Sequence, residues 1–249
     1  MESNYKLYQQ IANRFKEQMG NGRYKVGDML PAERILAEQL EVSRTVIREA
    51  MIMLEVEGFI EVRKGSGIRV VSIEGNRTTI SESTSSQFAN SNYGPFELLQ
   101  ARQLFESNIA EFAAMQATKQ DLVALMKIQE QAKNDEYSRD SHWDSEFHIQ
   151  LARCTQNSAI VDVAETLCRH REDNPYWKKL HEHIHDDQIR NWYHEHEHIV
   201  KALIQRDGKA AKQAVWQHIE NTKQMLFDAS SDDYDRFLFA ENPLTDFSQ

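Results

Sequence analysis

Cysteine is scarce in this 249-residue chain: Cys154 and Cys168 are the only two, too few for a disulfide framework and suited to reduced thiols in a cytoplasm. No apolar run approaches the roughly 18–20 residues that a membrane-spanning helix needs. The opening MESNYKLYQQ has no apolar segment of the kind that directs secretion. The expectation is a cytoplasmic protein with no membrane partner. Glycine nearly vanishes after Gly94, with Gly208 its sole later occurrence, and no β-rich run appears there. Histidine is missing from the first 75 residues, so all ten histidines lie beyond them.

Basic charge is in short supply overall, with a formal net charge of -10. The deficit is not spread evenly. Residues 1–75 hold 11 basic and 11 acidic side chains, which leaves 18 basic and 28 acidic ones for the remainder. A neutral front and an acidic, histidine-bearing back point to two regions with different tasks. Between them, EGNRTTISESTSSQFANSNYG (74–94) is rich in Ser, Thr and Asn without a sustained apolar period, which suits a linker.

In the front region, Tyr8, Ile11, Ala12 and Phe15 predict a helix over 5–19. GNGRYKVGDMLP reads as a loop, and Pro31 can open a second helix bearing Leu36 and Leu40. After the short turn Glu41-Val42, Ser43 is a good N-cap for a third. There Ile47, Ala50, Met51 and Leu54 form one buried stripe, while Arg44, Thr45 and Arg48 are expected to point elsewhere. Gly58 ends that helix, and FIEVRKGSGIRVV (59–71) reads as a hairpin. Two helices joined by a tight turn and followed by a hairpin describe a winged helix-turn-helix, whose second helix enters the major groove by its first residues. Arg offers a bidentate fork to guanine, and phosphates attract the rest. Lys64, Gly65, Ser66 and Gly67 let the wing's backbone approach DNA closely. Taken singly, Arg44 and Arg48 would pass for solvated charges; the ordered helix, turn and wing argue against that.

The stretch LPAERILAEQLEVSRTVIREAMIMLEVEGFIEVRKGSGIRV resembles the DNA-binding domain of the GntR superfamily of bacterial regulators, through LPAER, VSRTVIREA, the Leu…Glu-Gly pair before the wing and the KGSG tip. The resemblance implies contact with double-stranded DNA by Arg34, Arg44, Thr45, Arg48 and the wing at Gly65. With the cap and the wing tip added, the expected DNA-facing set is Arg34, Ser43, Arg44, Thr45, Arg48, Lys64, Gly65 and Ser66.

From PFELLQARQ onward the pattern is helical almost to residue 228, which predicts an all-helical bundle. At about 100° per residue, His196 sits at the centre of a face with Ile189, Trp192, Tyr193, Ile199, Val200 and Leu203. His218 shares a face with Ala211, Ala214, Val215, Thr222 and Met225. Asp144 and His148, four apart, flank the face holding Leu151. Arg102 lies amid Leu98, Phe105, Ile109 and Ala113. Buried polar groups need partners. A hydrogen-bonded core network would supply them. So would a divalent metal held by Asp144, His148, His196 and His218: zinc first, with nickel or manganese also suited to three imidazoles and a carboxylate. HEHEH (194–198) formally matches the H-E-x-x-H pattern of metalloproteases, with Glu195 as base. Phase argues against it, since His194 and His198 lie roughly 160° and 200° from His196, on the solvent side. HEHIH (181–185) reads as a loop or exposed turn.

DSEFH, the run from His196 to Asp207 and AVWQH around His218 look like the FCD-type ligand domain of the FadR subfamily. That resemblance implies a metal site of one Asp and three His, matching Asp144, His148, His196 and His218. It also implies an effector contact at Arg102. GPFELLQARQLFESNIAEFAA, REDNPYW, AVWQHIENTKQ and the tail DDYDRFLFAENPL look like the uxu/exu-type repressors of hexuronate catabolism. Arg171, Asn174 and Trp177 are further effector-binding candidates. The expected architecture is mainly α: a winged helix-turn-helix over 1–73, a linker over 74–94, an all-helical effector-binding and dimerisation domain over 95–230 and a tail over 231–249. The expected protein is a homodimeric repressor on a near-palindromic operator, answering to a sugar acid bound at the metal. Two rivals use the same site. One is a metal-dependent enzyme with Glu106 as its best inward base, unless Glu106 merely pairs with Arg102. The other is a regulator that senses the metal alone.

Overall fold

A computed structural model describes residues 6–63, 67–75, 93–135, 142–181 and 186–229. The chain divides into two compact units, Met1–Asn90 with Phe227–Gln249, and Ser91–Leu226. The expected tail, most of the linker and the wing tip Lys64, Gly65 and Ser66 lie outside the described residues, as does most of HEHIH.

The first unit contains α1 (Leu7–Gly20), β1 (Met29–Leu30), α2 (Glu33–Leu40), α3 (Arg44–Val56), β2 (Ile60–Arg63) and β3 (Gly67–Val70). α1 and α2 both pack on α3. Tyr8, Ile11, Ala12, Phe15 and Met19 from α1 meet Leu36 and Ala37 from α2 and Ile47, Ala50, Met51 and Leu54 from α3 in one core. Helical spacing puts Tyr8, Ile11, Ala12, Phe15, Leu36, Ile47, Ala50, Met51 and Leu54 on these inward faces; Met19 and Ala37 join them, and Leu40 is only partly buried. Glu41 ends α2 in the left-handed region, at φ 54°. Ser43 then caps α3, its hydroxyl accepting from the Val46 amide at 3.3 Å. α3 ends just before Gly58, whose φ of 77° favours a residue without a Cβ.

The hairpin β2–β3 pairs Ile60 with Val70 and Arg63 with Gly67. It has a third strand where sequence predicts a loop. β1 pairs antiparallel with β3, Met29 opposite Arg69 and Leu30 opposite Ile68. A two-residue strand is too short to show alternation, and its partner lies almost forty residues away in sequence. Only the buried side chain of Leu30 ties it to the core.

The second unit is helical throughout its described residues: α4 (Pro95–Gln116), α5 (Lys119–Asn134), α6 (Trp143–Arg153), α7 (Ser158–Glu172), α8 (Pro175–His181), α9 (Asp186–Ile204) and α10 (Gly208–Ala229, its last residues grouped with the first unit). Starts follow local chemistry. Pro95 opens α4, the Thr118 hydroxyl accepts from the Asp121 amide at the start of α5, and Asn157 accepts from the Ala159 amide at the start of α7. α6 is central, packing on α4, α5 and α7, while α4 and α5 also meet α9. Gly208 opens α10 where a Cβ would stand 3.0 Å from the Glu111 carbonyl of α4, so the one glycine beyond Gly94 marks a close approach. Among the described residues, no helix is long and apolar enough to cross a membrane.

The predicted face of α4 needs one correction. Leu98, Ile109, Ala113 and Arg102 are buried, but Phe105 is 43% exposed. It lies at the edge of the stripe formed by Leu98, Arg102, Ile109 and Ala113.

Candidate functional site

Four side chains from three helices converge inside the bundle. Asp144 and His148 come from α6, one turn apart, so both leave the same face. His196 comes from the middle of α9 and His218 from α10. Their exposures are 9%, 2%, 0% and 3%, so water reaches little of the cluster. One ligand atom from each lies within 4.8 Å of every other. His196 Nε2 is 3.4 Å from His218 Nε2, and Asp144 Oδ1 is 3.7 Å from the Nε2 of both His148 and His196. Ligands held about 2.0–2.2 Å from one ion stand about 3–3.5 Å apart, so the spacing fits a shared divalent cation after small adjustments. The buried His148 Nε2 has no hydrogen-bond partner, the mark of a lone pair awaiting something other than protein.

Electrostatics suits that use. Burial would raise the Asp144 carboxyl, but the Arg171 guanidinium overcomes it and holds Asp144 ionised, well below the usual carboxylate range. Burial pushes His148 down, against the opposing pull of Glu106. It pushes His196 well down, helped by His218 and His148. Anionic carboxylate and neutral imidazoles are the forms that bind metal.

Aromatic packing fixes His196: its ring stacks on Phe147 at 3.9 Å and 5°, with Trp143 edge-on at 5.6 Å. The other two imidazoles meet carboxylates. His218 Nδ1 is 2.7 Å from Glu195 Oε2. His148 Nδ1 is 2.8 Å from Glu106 Oε2, close but off the direction of a good hydrogen bond, so that contact is chiefly electrostatic. Glu106 also takes a two-pronged bond from Arg102, Nε to Oε1 at 2.6 Å and Nη2 to Oε2 at 3.2 Å. Burial would raise Glu106, but Arg102 and His148 hold it far below its ordinary range. Arg102 is driven upward by Glu106 against its own burial. Glu106 is therefore an occupied counter-ion.

Arg171 on α7 donates Nη1 to Asp144 Oδ2 and Nη2 to Ser145 Oγ at 2.6 Å, with its guanidinium 5.3 Å over the Trp177 ring. It touches a candidate ligand directly, which no periodicity within α7 indicates. Its buried Nε has no hydrogen-bond partner. Asn174 does something different. Its Oδ1 accepts from the Trp177 amide at 2.9 Å and its Nδ2 donates to the Tyr93 carbonyl at 2.9 Å, so it caps α8. In HEHEH, His194 and His198 are exposed while His196 is enclosed, as helical phase requires. In sequence Glu195 reads only as the base of a protease pattern; its contact with His218 crosses between helices and leaves no signal in sequence spacing.

The helix-turn-helix places Arg44 on the exposed first turn of α3 with Thr45 half-buried beside it, behind the Ser43 cap. Arg34 is half-buried on α2 and donates to Glu38 Oε1 at 2.8 Å. Arg48 departs from the expected outward course. It is 1% exposed, with Nε 2.7 Å and Nη2 2.6 Å from Glu33 Oε2. A long guanidinium stem one turn into α3 reaches back to the buried carboxylate of Glu33 on α2.

Two family models match this chain: "Bacterial regulatory proteins, gntR family" over residues 7–70 and "FCD domain" over 97–221. The chain is similar to the Exu regulon transcriptional regulator of Escherichia coli K12, 58% identical, covering 96% of this chain and 93% of the relative. It is 44% identical to the Uxu operon transcriptional regulator of the same organism, over 95% and 94%, and 42% identical to the Uxu operon regulator of Haemophilus influenzae, over 96% and 90%. Such identity across both units shows a DNA-binding regulator in which a helix-turn-helix is joined to a domain with a carboxylate–imidazole cluster able to hold a metal. This chain belongs to the gntR family of bacterial regulatory proteins, in the branch that carries an FCD domain.

Proposed function

We propose that this protein controls genes of hexuronate use, that a divalent metal, zinc first among the candidates, sits on Asp144, His148, His196 and His218, and that a sugar acid bound there changes affinity for operator DNA. The convergence of those four ligand atoms within 4.8 Å, in a regulator whose relatives govern Exu and Uxu genes, carries this reading. A bound metal would supply positions for the acid's carboxylate and a neighbouring oxygen. Arg102 and Arg171, both buried beside the cluster, supply positive charge to an incoming anion, and Trp177 flanks Arg171. Asn174 contributes by fixing the start of α8.

DNA is read by Arg34, Ser43, Arg44, Thr45 and Arg48 with the wing at Lys64, Gly65 and Ser66. Arg48 reaches the duplex only by exchanging Glu33 for a phosphate or base edge. The chain acts as a homodimer, which places two heads on a near-palindromic operator. Its negative charge lies outside the neutral head, so the bundle does not compete with the head for DNA. The protein is a regulator rather than an enzyme, in keeping with its relatives.

An allosteric coupling of about 1–3 kcal/mol changes operator affinity roughly 5- to 150-fold. Titrating operator DNA with the protein, with and without glucuronate, fructuronate or galacturonate, tests this directly. A shift in that range with one acid, lost on chelation, is the expected result. No shift with any of them rules out the effector class. Affinity that follows free metal with no organic acid present identifies a metal sensor instead.

A further inference from the structure

The run HEHEH spends only its central histidine on the metal cluster. His194 and His198 face solvent, so no inward pair of histidines flanks Glu195. Its carboxylate instead spans to α10 with both oxygens. Oε2 is 2.7 Å from His218 Nδ1, and Oε1 accepts from Asn221 Nδ2. The three imidazoles of the cluster are thus held in three ways. His196 is clamped between aromatic rings with its Nδ1 unpartnered, His148 lies against the Arg102-bound Glu106, and His218 depends on Glu195.

We propose that Glu195 is a positioning residue of the metal centre, holding the proton of His218 on Nδ1 so that the Nε2 lone pair faces His196, His148 and Asp144. A neutral imidazole left alone favours its proton on Nε2. In His218 that proton would enter the space shared with His196 Nε2, 3.4 Å away, and block coordination. A carboxylate on Nδ1 reverses the preference, fixes the ring and raises the donor strength of Nε2. Asn221, one turn further along α10, holds the carboxylate in place. This inference rests on reading the cluster as a metal centre.

The test uses the full chain and its variants Glu195→Gln, Glu195→Ala, Asn221→Ala and His218→Ala. Zinc affinity is measured by competition with a chromophoric chelator, the site's symmetry by the visible spectrum of the cobalt(II) form, and the His218 tautomer by ¹⁵N NMR of the metal-free protein. Glu195→Ala is expected to weaken zinc binding about 10- to 100-fold, to alter the cobalt spectrum and to move the His218 proton to Nε2. Glu195→Gln keeps an oxygen acceptor and restores most of the affinity. Asn221→Ala loses less than Glu195→Ala, and His218→Ala loses more. If Glu195→Ala binds zinc like the parent with an unchanged tautomer, the proposal falls while the metal centre stands. A loss shared in full by Glu195→Gln, with the tautomer unmoved, makes Glu195 a tie between helices and also overturns it. A parent protein that takes up no zinc or cobalt overturns the metal centre, and this role with it.

Discussion

Among the described residues, each unit buries an arginine against a glutamate, and the two pairs differ in what surrounds them. In the head, Arg48 and Glu33 close on each other between α3 and α2 beside an apolar core. In the bundle, Arg102 and Glu106 are neighbours on one helix, and Glu106 passes its second contact to His148. From His148 the polar chain runs on through Asp144 to Arg171. The head's pair joins two helices. The bundle's pair is the edge of a network whose inner atoms, His148 Nε2 and Arg171 Nε, lack hydrogen-bond partners. A buried ion pair is thus no sign of a binding site by itself; buried atoms left without partners beside it are.

Breaking the head's pair should have the largest effect. Arg48→Ala removes one member of a buried ion pair, a loss of about 3–5 kcal/mol. Urea unfolding should show the head melting first, with metal content of the folded protein unchanged. An unfolding midpoint equal to the parent's would mean that the pair contributes nothing. On the bundle side, His196→Ala removes a candidate ligand, and zinc affinity should fall by more than the roughly 10- to 100-fold typical of losing a supporting carboxylate. Operator binding without effector should persist. If both variants lose DNA binding equally, the division of labour between the units is wrong.

Arg44→Ala tests the head's surface rather than its core. A lost contact to a base edge costs about 1–3 kcal/mol of operator affinity and relaxes preference at one position. Gel-shift titration against operator variants reads both, and unchanged affinity would return Arg44 to a solvated charge. Ser43→Ala removes the cap of α3 and should cost about 0.5–2 kcal/mol of stability, seen as a small drop in Tm. Smallest of all is the effect of chelation on the fold. The bundle has its own apolar core in residues such as Leu99, Leu125, Phe147 and Leu151, so its helical circular dichroism should survive metal removal. Loss of helicity on chelation would make the metal structural.

Much of this was legible beforehand where a local rule applied. Ser43 caps α3 because a hydroxyl reaches its own helix's amides, which involves only nearby residues. His148, His196 and His218 turn inward because the 3.6-residue period sets their phase against apolar neighbours, and that same phase puts His194 and His198 outside. Local rules missed β1, whose partner is remote, and Phe105, at the edge of its stripe. They missed Arg48 too, because a long side chain's course depends on which carboxylate lies within reach.

Helical phase and cap chemistry are properties of neighbouring residues, so the sequence alone determined that His148, His196 and His218 face inward, where α3 begins and which residue types gather in the bundle. It could not decide the pairings among them. That Arg171 grips Asp144, that Glu195 holds His218 and that Arg48 folds back on Glu33 follow from how separate helices are brought side by side. Partners in burial are chosen by proximity in space, and only packing creates that proximity.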